Sequence, residues 1–264
     1  MSIVSFELGL YTAQMWDGKA GDLDADRASG GPWSLSGQSY YPGINDTLGQ
    51  DPNGIAFDPA AMQLFAAWTQ SPQAHAHDRQ RAAQAAIAAG EQLFNSAPLT
   101  ITNVRGLNDN AALGNPTSFK GTCTTCHDAP GVGSHSLPLP LDVGTSHSAN
   151  PSYESDPLIA AALSQLSMPK LPVFLISGCP DPFNPGQTAS FYTTDPGKAL
   201  ISGHCSDFNR VKGPILRGLA ARAPYFHNGA AATLDEVVSF YNERFQMGLT
   251  QQQKDDLVAF LDSL

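Results

Sequence analysis

Two cysteines three positions apart with a histidine directly behind them, Cys123-Thr124-Thr125-Cys126-His127, restrict what this chain can fold into more than any other feature. That spacing lets each thiol form a thioether to a vinyl group of haem while the adjoining imidazole reaches the iron from one side. It predicts one covalently attached haem c, held by Cys123 and Cys126, with His127 as the proximal ligand. Two other chemistries use paired cysteines. A thioredoxin-like redox pair opens a helix within a βαβ rhythm, and a zinc site needs a second Cys or His pair at matching spacing. No such rhythm surrounds the motif, and the other cysteines, Cys179 and Cys205, stand far apart. The 20 prolines and 24 glycines fall mainly between helical patterns, which suits long ordered loops wrapped around such a group.

A chain of 264 residues that is 42% hydrophobic buries a sizeable core, as one large or two small domains. No apolar run approaches the roughly 18 residues that a membrane span needs. The formal charge of −10 argues against nucleic acid as a partner, because phosphate binding needs a basic face. Residues 1–60 hold eight acids against two bases, with Asp17, Asp22, Asp24 and Asp26 close together. They read as a solvated acidic face, or as a docking patch for a basic redox partner.

Once two cysteines go to haem, Cys179 and Cys205 are left as an even remainder. Haem attachment of this kind happens outside the cytoplasm, in an oxidising compartment, so the expectation is a periplasmic protein with a Cys179–Cys205 disulfide. Closing a loop of that size contributes roughly 3 kcal/mol on chain-entropy grounds. Their proline- and glycine-containing flanks read as loops, the alternative being two separate buried thiols. The start, Met1-Ser2-Ile3-Val4-Ser5-Phe6-Glu7-Leu8, shows neither a basic segment nor a small-residue cleavage site. Ile3, Phe6 and Leu10 share a helical stripe, so the reading expects a fragment of a longer protein, or a replaced leader.

The organisation read from pattern is mostly α: a c-type cytochrome-like haem domain over residues 78–264, with long ordered loops, preceded by an N-terminal helical and loop extension over 1–77. Asp58-Pro59 predicts a capped helix with Met62, Phe65 and Trp68 pointing inward. Asp78 opens an Ala-rich helix through about Asn95, with Ile87, Leu93 and Phe94 as apolar contacts. Asp156-Pro157 begins another, with Leu158, Ala162 and Leu166 inward, and a short strand is expected over residues 173–176. Thr233-x-x-Glu236 and Thr250-x-x-Gln253 read as capping boxes of two closing helices, one carrying Val237, Val238 and Tyr241 and the other Leu257, Phe260, Leu261 and Leu264. Met247 sits in the link between them.

Three blocks bring a family into view. Lys212-Gly213-Pro214-Ile215-Leu216-Arg217-Gly218-Leu219, Ala223-Pro224-Tyr225-Phe226-His227-Asn228-Gly229 and Ala232-Thr233-Leu234-Asp235-Glu236-Val237-Val238 resemble the C-terminal haem domain of bacterial di-haem cytochrome c peroxidases, whose relatives include the di-haem enzymes of methylamine utilisation. Ala89-Gly90-Glu91-Gln92-Leu93-Phe94 resembles the helix before that domain's haem motif, and the closing residues resemble its last helix. The resemblance runs over about residues 80–264. The family carries two haems with the peroxide-reducing one in the N-terminal half, whereas this chain has a single Cys-x-x-Cys-His; what it matches is the electron-transferring half, with a second haem domain as an expected partner outside this chain. The Cys179 to Cys205 segment is an elaboration on the family pattern. Trp16-Asp17-Gly18-Lys19-Ala20 resembles a stretch between the two haems of the peroxidases; Trp16 is otherwise read as a core aromatic.

Met247 is the first choice for the sixth iron ligand, since a thioether opposite imidazole raises the potential as a carrier haem needs. The alternatives are Met247 as a gap-filling linker residue, Met168 as the ligand, or an open site. The resemblance places His227 beside the haem, where it bonds a propionate or an ordered water, or else ties its own turn to Gly229. Arg217 and Lys212 are candidates to compensate propionate charge. The family's calcium, held by backbone carbonyls, maps to Arg222 and Pro224. His75, His77, His135, His147 and His204 read as exposed side chains rather than ligands, and no nucleophile elbow supports hydrolase chemistry. The function expected is haem-based electron transfer; the alternatives are a peroxide-reducing or oxygen-activating enzyme with an open iron, or a haem-based sensing module.

Overall fold

Six α-helices and three two-stranded antiparallel hairpins form the regular framework of the computed structural model, which describes residues 13–70, 79–130, 139–146, 156–168, 170–181 and 184–264. The helices are α1 (Pro32–Ser36), α2 (Arg79–Ser96), α3 (Pro157–Leu163), α4 (Ala199–Ser202), α5 (Leu234–Arg244) and α6 (Gln251–Asp262). The hairpins pair β1 (Trp16–Asp17) with β2 (Gly21–Asp22), β3 (Leu99–Ile101) with β4 (Phe119–Gly121), and β5 (Phe174–Pro180) with β6 (Thr188–Thr193). The expectation of a mostly α fold is thus met only in part: helices are set among hairpins and long loops. The Ile3, Phe6 and Leu10 stripe, Asp78, His75, His77, His135 and His147 lie outside the described residues.

The core forms where α2 crosses α6. Gly90 makes the crossing possible, because a Cβ there would stand 2.0 Å from the Asp256 carbonyl oxygen. Phe260 fills the space beside it, 5.4 Å from Phe94 and edge-on to Phe65 at 6.2 Å between ring centroids. Val238 and Phe240 of α5 join the same cluster, and so do Leu23, Leu35, Met62, Leu64, Phe65 and Trp68 from residues 13–70.

Polar side chains of α2 hold that preceding segment in place. Buried Glu91 accepts from the backbone N–H groups of Leu64 (2.5 Å) and Phe65 (3.0 Å), Asn95 brackets Met62, and Gln80 and Gln84 donate to the Ala20 carbonyl. This corrects the helix expected after Asp58. Met62, Phe65 and Trp68 are buried as read. The segment is nonetheless irregular until a 3₁₀ turn at Ala66–Gln70, because α2 side chains take the N–H groups a helix would have used, and Asp58 closes only a local turn onto Ala60 N.

Asp156 caps α3 as expected, accepting from Leu158 and Ile159 N–H, although Ile159 rather than Leu158 is the buried residue. Thr250 and Gln253 complete a reciprocal box at α6. At α5 only half of the expected box forms: Thr233 caps Glu236 N, while the Glu236 carboxylate turns to Ala232 N, Ser167 N and Ser167 Oγ and ties α5 to the end of the α3 connection. The strand expected near residue 173 is longer than read and pairs with β6 through an irregularity around Gly178. Cys179 and Cys205 form the disulfide, with Cα atoms 5.6 Å apart. Cys179 lies buried in β5 and Cys205 opens a 3₁₀ turn, so the bond staples the hairpin to the segment after α4 instead of joining two loops. Trp16 is not a core aromatic. It is 66% exposed, because the turn between β1 and β2, closed by Asp17 onto Lys19 and Ala20 N–H, faces it outward.

Candidate haem site

A 3₁₀ turn at Cys123–Thr125 carries the haem motif, and its start is fixed by a reciprocal box between Thr122 and Thr125. Hairpin β3–β4 delivers the chain into the turn, and Gly121 permits the close approach, since a Cβ there would meet Thr125 Oγ1 at 2.5 Å. Cys126 N and His127 N both donate to the Cys123 carbonyl, at 3.2 and 3.1 Å, which folds both thiols and the imidazole into one turn of backbone.

The surroundings of that turn are apolar. Cys123 and Cys126 pack on a cluster of Leu99, Ile101, Val104, Leu107, Phe245 and Met247, with Leu93, Phe119 and Tyr241 at its edge. Both thiols are free of any disulfide. Burial pushes each thiol pKa up to about 12, reinforced at Cys123 by Cys126 and at Cys126 by Asp128. Such thiols are weak nucleophiles while no group is bound to them. Burial likewise lowers the His127 pKa to about 4, with the Pro214 carbonyl opposing and Lys212 adding to the shift, so the imidazole is neutral, the form that binds iron. Its Nδ1 is buried with no protein partner in hydrogen-bond geometry, although the Pro214 carbonyl acts on the ring, and Phe94 stands 6.2 Å from it. Two unpaired thiols, a neutral imidazole and an aromatic-aliphatic wall fit a covalently held haem.

Met247 is buried within this cluster, positioned by N–H donation to the Asn242 carbonyl at the end of α5. Met168 packs instead with the main core and donates its N–H to the Ala230 carbonyl. Tyr241, which sequence reading took for an ordinary inward residue of α5, has its pKa raised by burial first and then by its nearness to Cys126 and Cys123. It stacks on Phe245 at 5.7 Å. Nothing in its helical spacing separates a residue facing the haem turn from one facing the core. Arg244 was also missed: fully buried, it donates to the carbonyls of Val143, Thr102 and Asn103 and rests 5.1 Å above the Phe245 ring.

His227 is placed away from a purely local role. Its Nδ1 lies 2.8 Å from Asp195 Oδ2 with the ring otherwise 61% exposed, while Asp195 is buried and accepts from Gly197 N. Arg217 is half-buried just after Leu216, a core residue, and Lys212 is exposed beside the haem turn. Arg222 and Pro224 are exposed at the end of the 3₁₀ turn Leu219–Ala221, and the Arg222 guanidinium donates to the Ile215 carbonyl. His204 is exposed. Among the described residues no cluster of three or more His, Cys, Asp or Glu side chains forms a metal site, and no helix is long and apolar enough to cross a membrane.

Known proteins similar to the chain share one activity name. The chain is 35% identical over 156 residues to cytochrome-c peroxidase IdrP2 of Denitromonas iodatirespirans, covering 55% of this chain and 36% of that protein. To cytochrome-c peroxidase IdrP1 of the same organism it is 26% identical over 280 aligned positions, covering 96% of this chain and 65% of the relative. To cytochrome c peroxidase Ccp of Escherichia coli (strain K12) it is 42% identical over 84 residues, 31% of this chain and 17% of that protein. The chain therefore spans about one third to two thirds of the length of the first two. No family model and no solved structure matches it.

Proposed function

Starting from this kinship with the bacterial cytochrome c peroxidases, we propose that the chain is a single-haem c-type cytochrome unit that carries electrons, in the manner of the electron-transferring half of a di-haem peroxidase. The observation that carries the reading is the turn that gathers Cys123, Cys126 and neutral His127 against one apolar wall containing Met247. Haem bound there supplies a one-electron iron couple. Cys123 and Cys126 hold it covalently; His127 is the proximal ligand, with the Pro214 carbonyl suited to accept the Nδ1 proton and fix the ring. Met247 is the sixth ligand in this reading, and Phe94, Phe119 and Phe245 keep water away, which limits reorganisation on electron transfer. Arg217, Lys212 and His227 are proposed for the propionate side. The acidic stretch around Asp17, Asp22, Asp24 and Asp26 is proposed to meet a basic redox partner in the periplasm, and the carbonyls of Arg222 and Pro224 to hold a calcium where a second haem domain joins.

The relatives' shared name supports a second reading, in which the chain belongs to a peroxide-reducing assembly. The position of Tyr241 bears on it, since a phenol is an alternative iron ligand that does not favour a high-potential carrier. Mass spectrometry of the denatured protein, made in a host that ligates haem, tests the first claim: one haem should remain attached, and Cys123→Ala with Cys126→Ala should lose it. A bare polypeptide mass would overturn the reading. Met247→Ala should then lower the potential and admit carbon monoxide. An unchanged spectrum and potential in Met247→Ala, with both altered in Tyr241→Phe, would transfer the ligand role to the phenol. Rapid peroxide turnover by the unaltered chain would favour the enzyme.

A further inference from the structure

Six of the eleven large hydrophobic side chains that stand exposed among the described residues fall in one module, the hairpin β5–β6 and helix α4: Val173, Phe174, Leu175, Tyr192, Leu200 and Ile201. The strand register explains why the hairpin has a bare face. Ile176 pairs with Phe191, and Phe191 packs on Phe208 at 6.1 Å between ring centroids, so that side faces the protein. Alternation turns the next pair, Leu175 and Tyr192, to the opposite side together with Val173, and these three are 55%, 56% and 64% exposed. Helix α4 is held beside the hairpin at both ends. Thr193 Oγ1 donates to the Asp195 carbonyl ahead of it, and Cys205 beyond it is bonded to Cys179 of β5. Its Leu200 and Ile201 are 68% and 90% exposed.

Both edges of this two-stranded sheet are unpaired. Charged side chains ordinarily guard such edges, yet residues 171–180 and 182–194 contain no Asp, Glu, Lys or Arg. The charges flanking α4 are already engaged, Lys198 with Asp207 at 3.1 Å and Asp195 with His227 at 2.8 Å. A basic partner gains nothing from a face without acids, and an anionic lipid surface finds no basic cluster on it. A chain of charge −10 repels its own copies, and this uncharged module adds nothing to that repulsion. The six side chains expose on the order of 700 Å², near the roughly 800 Å² that each partner gives to a standard stable interface. We propose that β5–β6 and α4 form a two-fold interface between two copies of this chain, with Leu175 and Tyr192 of each hairpin at its centre.

Sedimentation velocity of the haem-loaded protein over a concentration series tests the pairing. A dimer is expected at micromolar concentration, and a tighter one at high salt, where the self-repulsion is screened. Leu175→Glu combined with Tyr192→Glu sets four acids against one another across the two-fold axis. It should weaken dimerisation about a hundredfold or more, with circular dichroism unchanged because both side chains are exposed. Amide hydrogen exchange in β5 and β6 should slow as the concentration of the unaltered protein rises. An unaltered protein that stays monomeric at high micromolar concentration in high salt, or a folded double variant that dimerises undiminished, overturns the proposal. So does a monomeric parent that binds a basic cytochrome c or phosphatidylcholine vesicles and loses that binding in the double variant. Should the double variant fail to fold, the exchange measurement on the unaltered protein decides: hairpin amides whose exchange ignores concentration overturn the interface.

Discussion

Gly90→Ala should destabilise the protein even though it replaces the weakest ordinary helix former with the strongest. In an exposed helix interior that exchange is worth about 1 kcal/mol in favour of alanine. Gly90 is buried at the α2–α6 crossing, and the added methyl would stand 2.0 Å from the Asp256 carbonyl oxygen, 2.7 Å from its carbon and 2.7 Å from Phe260 Cβ. Two of those atoms are backbone, so no rotamer change relieves the contact and the helices must separate by an ångström or more. Overpacking of this kind costs about 1–3 kcal/mol, with a backbone contact at the upper end. The net expectation is a loss of about 1–2 kcal/mol. Because Phe94 of α2 contacts both Phe260 and His127, the displacement should also appear as a change in the haem absorption spectrum. Urea unfolding followed by far-ultraviolet circular dichroism measures the loss. Exposed Ala85→Gly on the same helix serves as the control, with an expected loss of about 1 kcal/mol from propensity alone. A Gly90→Ala protein as stable as the parent would refute the close crossing.

Burial raises Glu91 from its ordinary 4.5 to about 7 against the opposing Phe65 and Leu64 N–H groups. The folded state therefore binds the proton more tightly than the unfolded chain, and the stability this group contributes is complete below about pH 4.5 and lost as pH rises through 7. The stability difference between the parent and Glu91→Gln should accordingly shift against the parent by up to about 3 kcal/mol from pH 5 to pH 8; a pH-independent difference sinks the assignment. Cys179 and Cys205, 26 positions apart, should resist alkylation in the native oxidised protein until a reductant is added, and replacing both with serine should cost about 3.5 kcal/mol in urea unfolding. Free alkylation of the native protein would remove the disulfide from solution.

What the sequence determined by itself was whatever depends on neighbours along the chain. The spacing of Cys123, Cys126 and His127 fixes one tight turn with three reactive groups. Asp156-Pro157 and the Thr250 to Gln253 box set helix starts through local hydrogen bonds, and the apolar periodicity marked Phe65, Phe94, Val238 and Phe260 for burial. Pairing of Cys179 with Cys205 followed from counting. Tertiary structure decided everything that depends on which groups meet across the fold. Met62, Leu64 and Phe65 stay out of a helix because Glu91 and Asn95, some thirty positions later, take their backbone hydrogen bonds. Glu236 leaves its own helix cap for Ser167 because α5 lies against the end of the α3 connection. Trp16 is exposed because its hairpin turns outward, and hydrophobicity carries no such direction. Tyr241 and Met247 reach the haem turn through the end of α5 and the link that follows it, and the Asn45 amide meets the Asp128 carbonyl from far along the chain. Periodicity says that a side chain is inward; only the packing of one element on another says what it faces.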